Sequence, residues 1–293
     1  MNKKLKILIP LLLASVLLAP MPVKGNYQQT AGQSFNYDIV KADLAVTYGG
    51  NSGNGSGFVL DGTQYGDGTQ IEVYVLTVDP ASSVSFDVSV GADSEVWATD
   101  LFAGIVWLAL VMIYPIYLAD GFGIMGDWGT IQPIVNEGLG LMMTPFWDTS
   151  YLAALEELVQ PDSIDEFKTV TGMQDLTVKG KYDEKGGNVI FDWMMKGSAG
   201  FTGVYTADFD LEHQLKIVYD QTTGVLQGIR MLSSVVGTHS GTSMDVSLEY
   251  LQEIEGYNID EFAFGLPGFG WIITIGTLGI LAIPLIIRKN RKK

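Results

Sequence analysis

In Tyr205-Thr-Ala-Asp-Phe-Asp-Leu-Glu-His-Gln-Leu-Lys-Ile-Val-Tyr219, apolar side chains recur at every second position. Tyr205, Ala207, Phe209, Leu211, His213, Leu215, Ile217 and Tyr219 fall on one face. Thr206, Asp208, Asp210, Glu212, Gln214 and Lys216 fall on the other. Successive side chains of an extended backbone point to opposite sides, so this pattern predicts a strand with one buried and one solvated face. A strand of about 16 residues would run roughly 50 Å. Typical strands have about 5–6 residues, so this one predicts a sheet of unusual depth.

Working outward, Met244, Val246, Leu248 and Tyr250 repeat the pattern against Asp245, Ser247 and Glu249. Residues 176–183, 188–196 and 225–236 complete five strands. The stretches 184–187, 197–200, 221–224 and 237–242 are short and rich in turn residues. Residues 171–257 therefore read as an antiparallel meander with one apolar face. A first β block occupies 26–99. Val84, Phe86, Val88 and Val90 alternate with polar residues there, and 37–48 and 71–78 are further strands. The glycine-rich run 49–57 reads as a flexible loop carrying the sequon Asn54-Gly55-Ser56, a glycosylation candidate. Asp61 to Gly68 reads as a hairpin rather than a calcium loop.

A sheet with one apolar face needs a cover. Residues 100–170 supply it: 101–119 carry no charge between Asp100 and Asp120, and Met, Phe and Trp follow as far as Trp147. Residues 151–160 form a short helix, with Ser150 as N-cap and Pro161 beyond its end. The fold class expected is α+β, mostly β: a long-stranded antiparallel, half-barrel-like sheet, an apolar helical insert and a C-terminal transmembrane helix.

The chain ends locate the body. Lys3, Lys4 and Lys6 precede a short apolar run, so 1–25 read as a secretory signal, or as an uncleaved N-terminal anchor. No charge falls between Glu261 and Arg288, and a basic cluster follows. Residues 266–293 thus read as a membrane anchor with a cytoplasmic tail, and 26–265 as the extracellular body. That body holds 8 basic and 33 acidic residues, a net −25. So few basic groups exclude a nucleic-acid surface. The charge suits a soluble surface domain and weak Ca²⁺ binding. The chain has no cysteine, hence no disulfide, Cys nucleophile or thiolate metal site.

Pro267, Gly268 and Phe269, followed by the apolar run and the basic cluster, resemble the C-terminal sorting signal of archaeal surface proteins. The resemblance implies cutting near the motif and replacement of the helix by a lipid. The layout is similar to that of anchored surface proteins of Asgard archaea. The long-stranded sheet closed by helices resembles the half-barrel of bacterial lipoprotein carriers, which implies an apolar ligand.

The run 101–119 could be a core helix, the lining of an apolar cavity, a membrane-dipping segment or a true span. A span would place the following β block in the cytoplasm and the basic tail outside, against the positive-inside rule. The two histidines, His213 and His239, show no metal-ligand spacing, and no GxSxG or P-loop occurs. The expected function is therefore non-enzymatic and without cofactor: a membrane-anchored surface protein holding a lipid or other apolar ligand between sheet and central run. Trp107, Leu108, Val111, Met112 and Tyr114, with Phe209, Leu211 and Leu215, are the candidate ligand-binding residues. The alternative is a structural or adhesive envelope protein with an ordinary packed core.

Overall fold

The computed structural model describes residues 26–171, 173, 175–201 and 206–264. The expected signal (1–25), Tyr205, and the anchor with Pro267, Gly268 and Phe269 lie outside the described residues. One compact unit runs to Phe262.

Most of the body is one antiparallel sheet. Its strands are β1 (Ser34–Tyr48), β5 (Thr69–Asp79), β6 (Ser83–Val90), β7 (Asp93–Asp100), β8 (Thr177–Lys185), β9 (Asn188–Phe201), β10 (Ala207–Asp220), β11 (Leu226–His239) and β12 (Thr242–Ile254). Their order is β7-β6-β5-β1-β12-β11-β10-β9-β8, with β2 (Asn51–Ser56) added beside β1. A separate hairpin joins β3 (Phe58–Leu60) to β4 (Thr63–Tyr65) through Asp61 and Gly62, both at positive φ. The predicted meander is present in its predicted order. Both outer strands are studded with charges: Asp93 and Glu95 on β7, Lys179, Lys181, Asp183 and Lys185 on β8. Charged edge strands resist pairing with another chain.

The helices are α1 (Leu101–Met125), α2 (Trp128–Glu137), α3 (Thr149–Leu152), α4 (Ala154–Leu158) and α5 (Pro161–Thr171). Directly paired residues share a face, and Leu44, Val46, Leu248, Val235, His213, Leu215 and Trp193 are thereby placed together. That face is the core. α1 packs on β10, β11 and β12, α2 on β1 and β2, and α4 and α5 on β8. Phe167 of α5 stands edge-on to Trp193 at 5.2 Å.

Several expectations needed correction, each for a packing reason. Residues 49–57 are not a loop: Gly49 and Gly50 turn the chain, and 51–56 pair with β1 as β2. The glycines are there for closeness. A Cβ on Gly55 would lie 1.8 Å from the Val135 carbonyl oxygen, so α2 rests directly on bare backbone. Asn54 is exposed on this strand. Residues 197–200 belong to β9, and β11 continues to His239 before a turn at Ser240 and Gly241. Asp148, not Ser150, caps the helix at 149, and Pro161 opens α5, where its missing N–H costs nothing. The β7 strand went unread.

The second face of β10 is solvated only in its first half. Beyond Glu212 it is covered: Gln214 and Lys216 are buried. The segment after β12 covers Lys216. Lys216 Nζ donates to the Asp260 and Glu261 carbonyls and lies 3.6 Å from the buried Asp192 carboxylate. The Arg230 guanidinium sits 5.0 Å over the Phe262 ring.

Candidate functional site

The 25-residue helix α1 is the feature that an ordinary two-layer fold does not explain. Asp100 starts it by accepting a 2.7 Å hydrogen bond from the Ala103 N–H. Gly126, at φ 72°, ends it by donating to the Phe122 carbonyl. It therefore outruns the expected 101–119, and Asp120 lies within it. There Asp120 Oδ1 is 3.5 Å from Nε2 of buried His239. A Cβ on Gly123 would fall 2.1 Å from that imidazole, so only glycine admits the ring.

Pro115 has no N–H and leaves the Val111 carbonyl without its helical partner. His213 of β10 takes that partner's place. Its Nε2 lies 3.1 Å from the Val111 oxygen, and its Nδ1 lies 2.7 Å from Ser233 Oγ. The geometry fits a neutral imidazole that donates from Nε2 and accepts the Ser233 hydroxyl proton at Nδ1. Complete burial drives the His213 pKa down to about 3, against the small upward pull of the Val111 carbonyl. The histidine on the apolar face is thus the polar clasp between helix and sheet.

Of the eight candidate residues, Leu108, Val111, Met112, Phe209, Leu211 and Leu215 are buried in the common core. Trp107 and Tyr114 are only partly buried. Trp107 stands edge-on to Trp147 at 6.4 Å, and both indole N–H groups are buried without an acceptor. Sequence reasoning named the side of the helix that meets the sheet. On the opposite side it reached only the partly buried Trp107 and Tyr114. Phe102, Ala103, Tyr117, Ile124 and Met125 are exposed, and Val106, Leu110, Leu118 and Gly121 are half-buried. These positions recur at three- and four-residue steps along one side of the helix, which is exposed toward its two ends and half-buried between 104 and 116. No charged side chain interrupts it from Phe102 to Leu118. α1 is long and apolar enough to cross a membrane, yet half of its most apolar window lies inside the body. The lack of any polar side in 101–119 was the signal for this stripe.

Two cavities are described, both away from the helix–sheet contact. One of about 320 Å³ lies over Asp210, Glu212, Ser234 and Val236 on the second face of the sheet. There Lys196 is ion-paired with Glu212, and the Ser198 hydroxyl meets Asp210. The other, of about 150 Å³, lies at the end of the sheet beside Gln29 and Phe35. Among the described residues no group of three or more His, Asp or Glu side chains could hold a metal ion. Glu253 accepts the Ile259 N–H, and burial raises the pKa of Asp245. No protein-family model, curated protein or solved structure matches the chain.

Proposed function

We propose that this chain is a non-enzymatic, membrane-tethered cell-surface protein that engages lipid through the outer face of α1. In this reading residues 266–293 are the anchor, with or without processing at Pro267-Gly268-Phe269, and the long-stranded sheet curves as a half-barrel behind the helix. The lipid contact thereby moves from between helix and sheet to the helix's free side. The observation that carries the reading is the stripe, free of charge from Phe102 to Leu118. A helix covering one sheet ordinarily turns a polar side to water, and exposed apolar side chains clustered on one side of an element mark an interaction surface.

The chemistry favours lipid over a protein partner or a second copy. From Phe102 to Leu118 the stripe offers aromatic and aliphatic groups with no hydrogen-bonding side chain to set a register except the Tyr114 and Tyr117 hydroxyls. Tyrosine and tryptophan suit a bilayer interface. Residues 42–167 contain no Lys or Arg, so the attraction would be apolar and not directed at anionic headgroups.

The anchor-free body, 26–264, is expected to co-sediment with neutral phosphatidylcholine vesicles. Ala103, Tyr117 and Ile124 are all exposed, so glutamate at each leaves the core intact. Ala103→Glu, Tyr117→Glu and Ile124→Glu together should lower vesicle binding more than about tenfold, since each charge placed against hydrocarbon costs about 1 kcal/mol or more. The thermal midpoint should stay within a few degrees of the parent's. A body that ignores the vesicles, or a triple variant that binds as well as the parent, contradicts the reading. So does a parent dimer that the triple variant converts to monomer, which would make the stripe a self-association face.

A further inference from the structure

The cavity of about 150 Å³ at the end of the sheet is built around an orphaned acceptor. Gln29 is only 6 % exposed, and its Nε2 donates to the Thr223 carbonyl at 2.6 Å. That bond fixes the amide's orientation, and Oε1 is left buried with no partner, in a residue that lines the cavity. A buried acceptor without a donor is costly, so the site is organised for something that donates.

The rest of the lining has the same polarity. Gln227 donates one amide N–H to the Val225 carbonyl, and Gln28 donates one to Asn26 Oδ1. Asp220 adds a carboxylate whose Oδ1 takes the Thr222 and Thr223 N–H groups and the Thr223 hydroxyl. Gln33 accepts from the Thr30 N–H and is the one amide whose donor side is not engaged. The Phe35 ring and Ile254 supply an apolar wall, and no lysine or arginine lines the cavity. Acceptors, one carboxylate and an aromatic ring suit a cation with N–H donors. An ammonium group gains more from the Asp220 charge than a neutral sugar hydroxyl does.

We propose that this cavity binds a primary ammonium group on a short alkyl chain, borne by a free amine or by a lysine side chain. The proposal is independent of α1, so it stands or falls separately from lipid engagement. The test is calorimetric titration of the full chain in nanodiscs with n-butylammonium, 1-butanol and methyl glucoside. Putrescine and Nα-acetyl-lysine N-methylamide distinguish the two sources. Butylammonium should bind saturably at millimolar concentration or below, and the two neutral probes should not. Tighter binding of putrescine would identify a free amine, and equal or tighter binding of the lysine amide a protein side chain. Gln29→Met should weaken butylammonium about tenfold or more. If that variant misfolds, Asp220→Asn should weaken binding and flatten its dependence on salt. No binding at about 10 mM (a water molecule alone on Gln29 Oε1) overturns the proposal. So does equal binding of butanol or glucoside, or a Gln29→Met protein with unchanged affinity.

Discussion

Phe146→Ala should destabilise the body by about 3–5 kcal/mol, the range for removing a fully buried phenylalanine ring. Phe146 has no solvent exposure and lies where the two β blocks meet. Phe35 of β1 and Phe86 of β6 stand edge-on to it at 5.5 and 5.4 Å. Its backbone bridges Val225, and the neighbouring Pro145 carbonyl and Trp147 N–H bond to Leu226 and Gly224. The ring therefore fastens β1 and β6 to the β10–β11 turn, and its loss opens a void that three separate elements would have to collapse to fill. Urea unfolding measures this directly. Phe102→Ala, on the exposed stripe, should change stability by less than about 1 kcal/mol. Similar costs for the two would mean that Phe146 is not the keystone described.

His213→Leu should cost about 2–3 kcal/mol by stranding the Val111 carbonyl and the Ser233 hydroxyl in a dry interface. The cause can be isolated, because Pro115→Ala restores the helical N–H that Val111 lacks. In that background His213→Leu should cost about 1 kcal/mol less, a coupling within the range for groups sharing a partner. Additive costs would show that His213 does not serve the carbonyl freed by Pro115. Acid provides a second readout. The folded pKa of about 3 lies below the unfolded value of about 6.5, so the native state resists a proton that the unfolded chain accepts. This contribution is complete above pH 6.5 and is lost as pH falls toward 3, at about 1.4 kcal/mol per unit. The stability advantage of the parent over His213→Leu should shrink accordingly across that window, since the titration of the other groups cancels in the difference.

Residues under local rule were legible in the sequence. The alternation of β10 and β12, the turn at 221–224 and the sheet order from β8 to β12 follow from side-chain period and turn chemistry. Residues under tertiary rule were not. Gly53 and Gly55 read as a loop because glycine ordinarily loosens a strand. Here the missing side chains make room for Trp128 and the Val135 carbonyl. Lys216 read as solvated because the Asp260–Glu261 segment that covers it is remote in sequence. Pro161 read as a stop because the same residue ends one helix and begins another. For the candidate site, the sequence marked α1 as lacking a polar side. It could not say which of its sides the sheet would take, and the inward-facing residues were named as the ligand contacts. The cavity at Gln29 had no signal in pattern or spacing, since its lining comes from residues 28–33, β1, the β10–β11 turn and the end of β12.

The central claim is that the outer stripe of α1 meets lipid. Because the chain has no cysteine, Tyr117→Cys offers a unique attachment point for a nitroxide in the full protein reconstituted into bilayers. Tyr117 is 57 % exposed, so the label needs no room in the core. Val96→Cys, on the exposed side of β7, serves as the solvent reference. The spin label at 117 should collide with dissolved oxygen and be shielded from a water-soluble nickel complex, while the label at 96 shows the reverse. A label at 117 that is as open to nickel as the one at 96 would place the stripe in water and contradict the account.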